Sequence, residues 1–395
     1  MLVVFLISNF YLKWLMEKPK RILFIAPRYH TNFRFQLAKL LEAGNVVRFI
    51  SIGQGAIENY QVLKPIIIGL SRFGRLLDCY LNPAQDVAQR NVKGLPNVFR
   101  LYAEVIRFRP DVVITRSVNS TYFRVLFPLF LVRWFRLVVY VQNPQYVTHC
   151  SYTKRIYYFV LTKVFNIRFY TTVRYLMQEG TPSTLQRQPF YSYFPFFIVP
   201  QVDRESFNSS EVALRLLHIG KFIPRKNHDL VLDAFIELRA QFPNCSLTLI
   251  GECINEPQLE LLAGLKDKIA AAGCNDAVHI YTNVPNETIA AHYTKANLFL
   301  MLSVRETASV CQVEAMSFGL PVICSIDNGT AHYIEDGVNG YVILPQKEVL
   351  LEKLLYFAKH QNEMAVMGKN SLHLIKTTFN IDQNYDSFMQ FLTSK

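Results

Sequence analysis

The sequence predicts an α/β protein made of two successive units, each a parallel sheet with helices on both faces. Two observations carry this. Strand-length apolar runs alternate with helix-periodic stretches along most of the chain, as βαβ crossovers require. The alternation then restarts after YFPFFIVPQVDRESFN (193–208), which Pro195 and Pro200 punctuate. At 395 residues the chain is long enough for two full cores.

In the first unit, RILFIAP (21–27) reads as a buried strand, RYHTN as a loop and FRFQLAKLLEAG as a helix. VVRFISIG is the next strand. VFRLYAEVIRFRP is a helix ending before Pro110, and DVVITRS (111–117) a strand. TYFRVLFPLFLVRWF forms a very apolar helix before the strand RLVVYVQNP. The second unit opens on the strand and turn LRLLHIGKF (214–222), then the amphipathic helix NHDLVLDAFIELRAQFP. CSLTLIGE, EPQLELLAGLKDKIAAAG and AVHIYTNV read as strand, helix and strand. NETIAAHYTKA is a short helix with Asn286 as its expected cap. ANLFLML (296–302), a helix around Glu314, and the runs PVICS and NGYVIL complete the unit. We expect boundaries at 21–198 and 199–378, with a last helix, 379–395, packing back on the first domain.

Composition narrows the class. With 51% hydrophobic and 18% charged residues the chain is not disordered. Seven scattered cysteines without a CxxC pair argue against a zinc site or disulfide framework and for a reducing compartment. No apolar run reaches membrane-spanning length. The apolar opening, residues 1–20, begins MLVVFLISNFYLKWL and is broken by Lys13. It reads either as a membrane-surface anchor or as an extension upstream of a start at Met16. Charge is asymmetric: residues 1–200 hold 26 Lys+Arg against 8 Asp+Glu (+18), and 201–395 hold 16 against 22 (−6), which together give +12. A basic first half points to an anionic partner, either a membrane surface or nucleic acid.

The stretch RETASVCQVEAMSFGLPVICS (305–325) places Glu306 at a strand-to-helix turn and Glu314 inside the helix, with Phe318 and Gly319 as the helix stop. Helical rise separates the two carboxylates by about 12 Å. That is too far for a shared-proton dyad but suits two ends of one extended ligand.

Five features in order resemble the family-4 glycosyltransferases: VPQVDRESF, HIGKFIPRKNHDLVLDAF, LIGE, the Glu-x7-Glu of Glu306 and Glu314, and DNGTAHYIEDGVNGYVI. The resemblance implies two Rossmann-like domains facing across a cleft, the GT-B fold, and transfer of sugar from a nucleotide-sugar with retention and without a metal. It assigns Glu306 to the donor sugar and Glu314 to the ribose hydroxyls. Glycosyl transfer builds negative charge on the leaving diphosphate. Fixed cations there stabilise the transition state over the ground state. Lys221 and Lys226 are the expected cations. Gly220 and the helix start at Thr307, Ala308, Ser309 and Val310 are the expected donor contacts. The expected co-substrate is a UDP-sugar, with GDP second, and no other cofactor.

The chain departs from the family pattern in places. Lys221 stands where arginine is usual and Asn227 where glycine is usual. Gln142 and Asn143 occupy a common histidine position, and His332 a common glutamate position. His30 and Asn32, with Gln142 and Asn143, are the expected acceptor or sugar contacts. SYTKRIYYFVLTKVFNIRFY interleaves Lys154, Arg155, Lys163 and Arg168 with aromatics, a mixture that suits anionic headgroups or nucleic acid. With a glycosyltransferase core, the expected acceptor is a lipid-linked glycan on the cytoplasmic face of the membrane, in surface-polysaccharide or lipopolysaccharide assembly. Nucleic acid is then not expected. The alternative is a non-catalytic membrane- or nucleic-acid-binding protein on the same scaffold.

Overall fold

The computed structural model describes residues 18–29, 33–55, 58–72, 76, 95–117, 120–132, 135–201 and 214–394. Most of the apolar extension, the linker at 202–213, and both His30 and Asn32 lie outside the described residues.

The first domain runs β1 (Arg21–Ile25), α1 (Arg34–Glu42), β2 (Val46–Ser51), β3 (Ile66–Ile67), α2 (Val98–Phe108), β4 (Val112–Arg116), α3 (Thr121–Leu131), β5 (Arg136–Val141), β6 (Tyr146–Val147) and α4 (Tyr152–Phe159). A π-helical turn, Val160–Val164, leads into β7 (Arg168–Thr171), β8 (Gln186–Arg187) and β9 (Tyr191–Tyr193). Seven strands form one sheet in the order β3-β2-β1-β4-β5-β7-β9, parallel at every pairing. β6 and β8 pair separately and antiparallel.

Successive residues of β1 serve opposite cores, which is why the run is apolar throughout. Leu23 and Ile25 pack with α2 and α3. Ile22 and Phe24 pack with α1 and the last helix. Side-chain caps fix three helix starts: Asn97 on α2, Ser120 on α3 and Ser151 on α4. α3 stops at Leu131, short of the expected Phe135. Pro128, in its last turn, has no N–H to return to the preceding turn.

The second domain runs β10 (Arg215–Ile219), α5 (His228–Gln241), β11 (Ser246–Gly251), α6 (Glu256–Ala271), β12 (Val278–Thr282), α7 (Asn286–Lys295), β13 (Leu298–Met301), α8 (Val310–Ser317), β14 (Val322–Ser325), β15 (Gly340–Ile343), α9 (Lys347–Lys359), α10 (Gln361–Thr377) and α11 (Ile381–Thr393). Its six strands are parallel in the order β12-β11-β10-β13-β14-β15. Asn286 is the first residue of α7 rather than its cap; Pro285 precedes the helix and no side chain caps it.

Strand order reverses between β1 and β4 in one sheet and between β10 and β13 in the other. Ligands of open α/β sheets sit at the carboxyl ends of strands at such reversals. The chain passes from the first domain at Ile198, whose N–H donates to Phe379 O, and returns beside it, where Ile198 and Asn380 form a parallel bridge. α11 then lies on the first sheet, burying Phe388 and Leu392 beside Tyr170 and Phe197. Arg136 and Arg168 donate to carbonyls at its carboxyl end, where cations meet the negative end of the helix dipole. Among the described residues no helix is long and apolar enough to cross a membrane.

Candidate active site

A cleft of about 300 Å³ opens where the two reversals face each other. Arg28, Tyr29 and Glu58 line it from the first domain; Gly220, Lys221, Arg225, Lys226, Glu252, Glu306, Ala308, Ser309 and Val310 line it from the second.

The turn after β10 is built for close approach. A Cβ on Gly251 would stand 2.2 Å from Gly220 O, so the ends of β10 and β11 meet only because that position is glycine. Pro224–Lys226 form a 3-10 turn ending at Asn227, which takes the left-handed conformation at φ 56°. Asparagine tolerates that region better than other non-glycine residues, and the Asn227 amide donates to Leu302 O at 2.7 Å. The residue in glycine's usual place therefore adopts glycine's conformation.

Three cations of this turn are held by carboxylates. Lys226 Nζ lies 2.6 Å from Glu306 Oε2, and Arg225 Nη1 lies 2.9 Å from the same oxygen. Lys221 Nζ lies 2.5 Å from Glu252 Oε1. Glu306 is thus paired across the β10–β13 seam and not with its neighbour Arg305. Its backbone is pinned as well: its N–H donates to Asp327 O and its carbonyl accepts from Gly329 N. Beneath the turn, His228 stacks on Phe222 and meets the His218 ring edge-on, both at 4.6 Å. Burial lowers both histidines' affinity for a proton, taking His228 to about 4.

The helix start follows. Ser309 caps α8 through its hydroxyl, which accepts from Gln312 N, while its own N–H donates to Thr330 Oγ1. Gln312, Asn328 and Thr330 form a fully buried hydrogen-bonded knot behind it. Glu314 lies one turn into α8 and accepts from the buried Tyr293 hydroxyl at 3.0 Å. Burial raises its pKa, against the opposing pulls of Tyr293 and of Arg34 from α1. The residues between the two glutamates are not one helix. Ser309 is extended and α8 starts at Val310, so the 12 Å of continuous helical rise does not apply.

The other expected residues fall in different places. Thr307 donates to Gln142 Oε1 at 3.2 Å, which joins the two domains, and Arg116 Nη2 donates to the same oxygen at 2.7 Å. Asn143 is exposed and donates to Tyr191, away from the residues lining the cleft. His332 packs against Tyr193 and Tyr175 instead of lining the cleft. Burial drives its pKa down to about 3, and Arg174 adds to this.

Sequence reasoning missed Arg225, Glu252 and the first-domain pair Arg28–Glu58, joined at 2.8 Å. Arg225 adjoins Lys226 in a motif already singled out and was legible there. The other pairings join residues 30 or more positions apart and become visible only on folding. Among the described residues no group of three or more His, Cys, Asp or Glu side chains gathers to hold a metal.

Residues 201–373 match the family model described as "Glycosyl transferases group 1". The second domain resembles the group 1 glycosyl transferases. The alpha-monoglucosyldiacylglycerol synthase of Acholeplasma laidlawii is 26% identical over 236 residues, covering 58% of this chain and 54% of that protein. The mannosylfructose-phosphate synthase of Agrobacterium fabrum is 27% identical over 167 residues, 42% of this chain and 37% of that one. The chain thus spans about half or less of the length of these relatives. The whole fold matches glycosyltransferases of known structure. Anabaena HepE in complex with UDP superposes with a TM-score of 0.65 at 14% identity, covering 95% of this chain and 100% of that one. WaaG, a glycosyltransferase involved in lipopolysaccharide biosynthesis, gives 0.59 at 17% identity, with 95% and 100% covered. The fold is therefore the α/β GT-B fold, and the cleft lies between its two domains.

Proposed function

We propose that the protein is a retaining glycosyltransferase that moves a hexosyl group from a nucleotide-sugar to a lipid-linked glycan at the inner face of the cytoplasmic membrane. The observation that carries this is the set of cations that line the cleft beside the start of α8, Arg225 and Lys226 on Glu306 and Lys221 on Glu252. The three cations would face the diphosphate as the sugar–phosphate bond breaks, where developing negative charge makes them most effective. N–H groups at the α8 start would add to them. Glu306 restrains two of these cations before the donor arrives and faces the cleft for the donor sugar. Glu314, one turn into α8 and behind the residues that line the cleft, would take the ribose hydroxyls. Side-chain cations do the work that a metal ion would otherwise do, so no metal is required in this reading.

UDP is the favoured nucleotide, since the similar Anabaena HepE is described in complex with UDP. A membrane-borne acceptor is supported by the net +18 of residues 1–200 and by the names of similar proteins, a diacylglycerol glycosyl synthase and a lipopolysaccharide glycosyltransferase.

Calorimetric titration with UDP, GDP and ADP, beside a Glu314→Ala variant, tests the donor pocket. One nucleotide should bind, and bind more weakly to the variant. Absence of binding by all three would favour the non-catalytic alternative.

A further inference from the structure

The first-domain wall of the cleft carries a charged pair of its own. Arg28 Nε lies 2.8 Å from Glu58 Oε1, and both residues line the cleft beside Tyr29. Arg28 follows β1 and Glu58 follows β2, so the pair stands beyond the carboxyl ends of two neighbouring strands.

The carboxylate is pinned in place. The Tyr60 hydroxyl donates to Glu58 Oε2 at 2.6 Å and accepts from Gly55 N at 2.9 Å. A Cβ on Gly55 would stand 2.6 Å from the Glu58 carboxyl carbon, so a larger residue there would push the carboxylate aside. Tyr60 is set in turn against the buried Tyr29, with ring centroids 5.4 Å apart, and Tyr29 against Phe49 at 4.9 Å. Glu58 thus fixes the guanidinium through Nε. The other end of that group, Nη1 and Nη2, has no partner among the described residues.

The pair is also oriented. The Arg28 side chain is 34% exposed and that of Glu58 4%. In the second domain Lys221 stands over Glu252 at 42% against 9%, and Arg225 over Glu306 at 37% against 10%. In all three a buried carboxylate holds a more open cation that lines the cleft. Such a pair presents its positive end to a ligand even though its net charge is zero.

The arrangement decides between ligands. A neutral sugar would be read by carboxylate oxygens, and those of Glu58 are buried behind the guanidinium. Among the described residues four cations and three carboxylates line the cleft. That small surplus suits one polyanion and not a second anionic group beside it.

We propose that Arg28 is a first-domain ligand of the donor's diphosphate, held in position by Glu58, so that the nucleotide is gripped from both walls of the cleft. The proposal rests on the nucleotide-sugar reading and adds to it a contact from the opposite domain. A guanidinium offers two parallel N–H groups to a phosphate, which a lysine cannot. Glu58 is the positioning residue: it orders the Arg28 side chain in advance, so less freedom is lost on binding.

The test is calorimetric, on the full chain, with UDP titrated directly and uridine by displacement. Arg28→Ala should weaken UDP about 10- to 100-fold, as for other hydrogen bonds to a charged group, and leave uridine unchanged. Glu58→Gln keeps the shape without the charge; it should weaken UDP by less and again spare uridine. Arg28→Ala strands a buried carboxylate, so the double variant Arg28→Met with Glu58→Gln, neutral at both positions, is measured beside it. The double variant should melt as the parent does and lose as much UDP affinity as Arg28→Ala. Equal UDP affinity in the parent and the double variant would overturn the proposal. So would a loss shared equally by UDP and uridine, which marks a structural role. Failure of the parent to bind any nucleotide would instead sink the donor-site reading, and this contact with it.

Discussion

The Lys226 ammonium stands 2.6 Å from Glu306 Oε2, and both side chains are about nine-tenths buried. A buried ion pair is weak evidence for stability, because desolvation offsets much of the attraction. Its value here is placement: the pair holds a cation and a carboxylate at fixed points of one cleft. Glu306→Gln should leave nucleotide affinity intact or stronger, since two cations lose their counter-charge. Transfer should fall by about 10²- to 10³-fold. Titration with UDP alongside single-turnover rates checks this, and a parallel loss of both would show that Glu306 only supports the fold.

Arg225 shares the Glu306 oxygen, yet its side chain is 37% exposed. Arg225→Ala should therefore change unfolding free energy by only about 0.5 kcal/mol or less. Affinity for the nucleoside diphosphate should fall about 10- to 100-fold, as for other hydrogen bonds to charged groups. Urea denaturation and calorimetry on the same sample separate the two quantities.

Gln142 receives Arg116 from its own domain and Thr307 from the other. Its removal takes one acceptor from a desolvated guanidinium and the cross-domain bond from Thr307. Gln142→Ala should cost about 1 to 3 kcal/mol in equilibrium unfolding and raise KM for the donor more than it lowers kcat.

Stability should depend on pH through the buried histidines. His228 is held down to about 4 and His332 to about 3, both by burial, against an ordinary 6.5. The folded state favours the neutral rings, so their contribution is complete above pH 6.5 and is lost as pH falls towards those values. Between pH 6.5 and 4, each histidine removed should lessen the slope of unfolding free energy by about 1.4 kcal/mol per pH unit. His332→Gln and His228→Gln, followed by denaturant melts across that range, provide the comparison.

The sequence carried the architecture because both sheets are buried on two faces. LFLM has to be apolar at every position, and such a run is readable without a partner. The site was half legible. Glu306 and the α8 start fall on one local motif and Lys226 on another, and the fold brings them to one place. Glu252 and Glu58 were not legible, since nothing in LIGE or AIENY marks either carboxylate as facing a cation until the chains are packed. Gln142 was expected to contact sugar hydroxyls, but its local sequence does not reveal that its oxygen is already taken by Arg116 and Thr307. Asn227 shows the opposite limit: the missing glycine cast doubt on the turn, and the backbone adopted the glycine conformation regardless.

The two passages between the domains lie side by side, Ile198 against Asn380, and α11 is then fastened to the first domain by Arg136 and Arg168. A single linker would let one domain swivel freely. Two strands crossing together act as a hinge with two pins, open to bending about one line and stiff against twisting. Opening of the cleft would then be confined to bending about that line, and it would part Thr307 from Gln142.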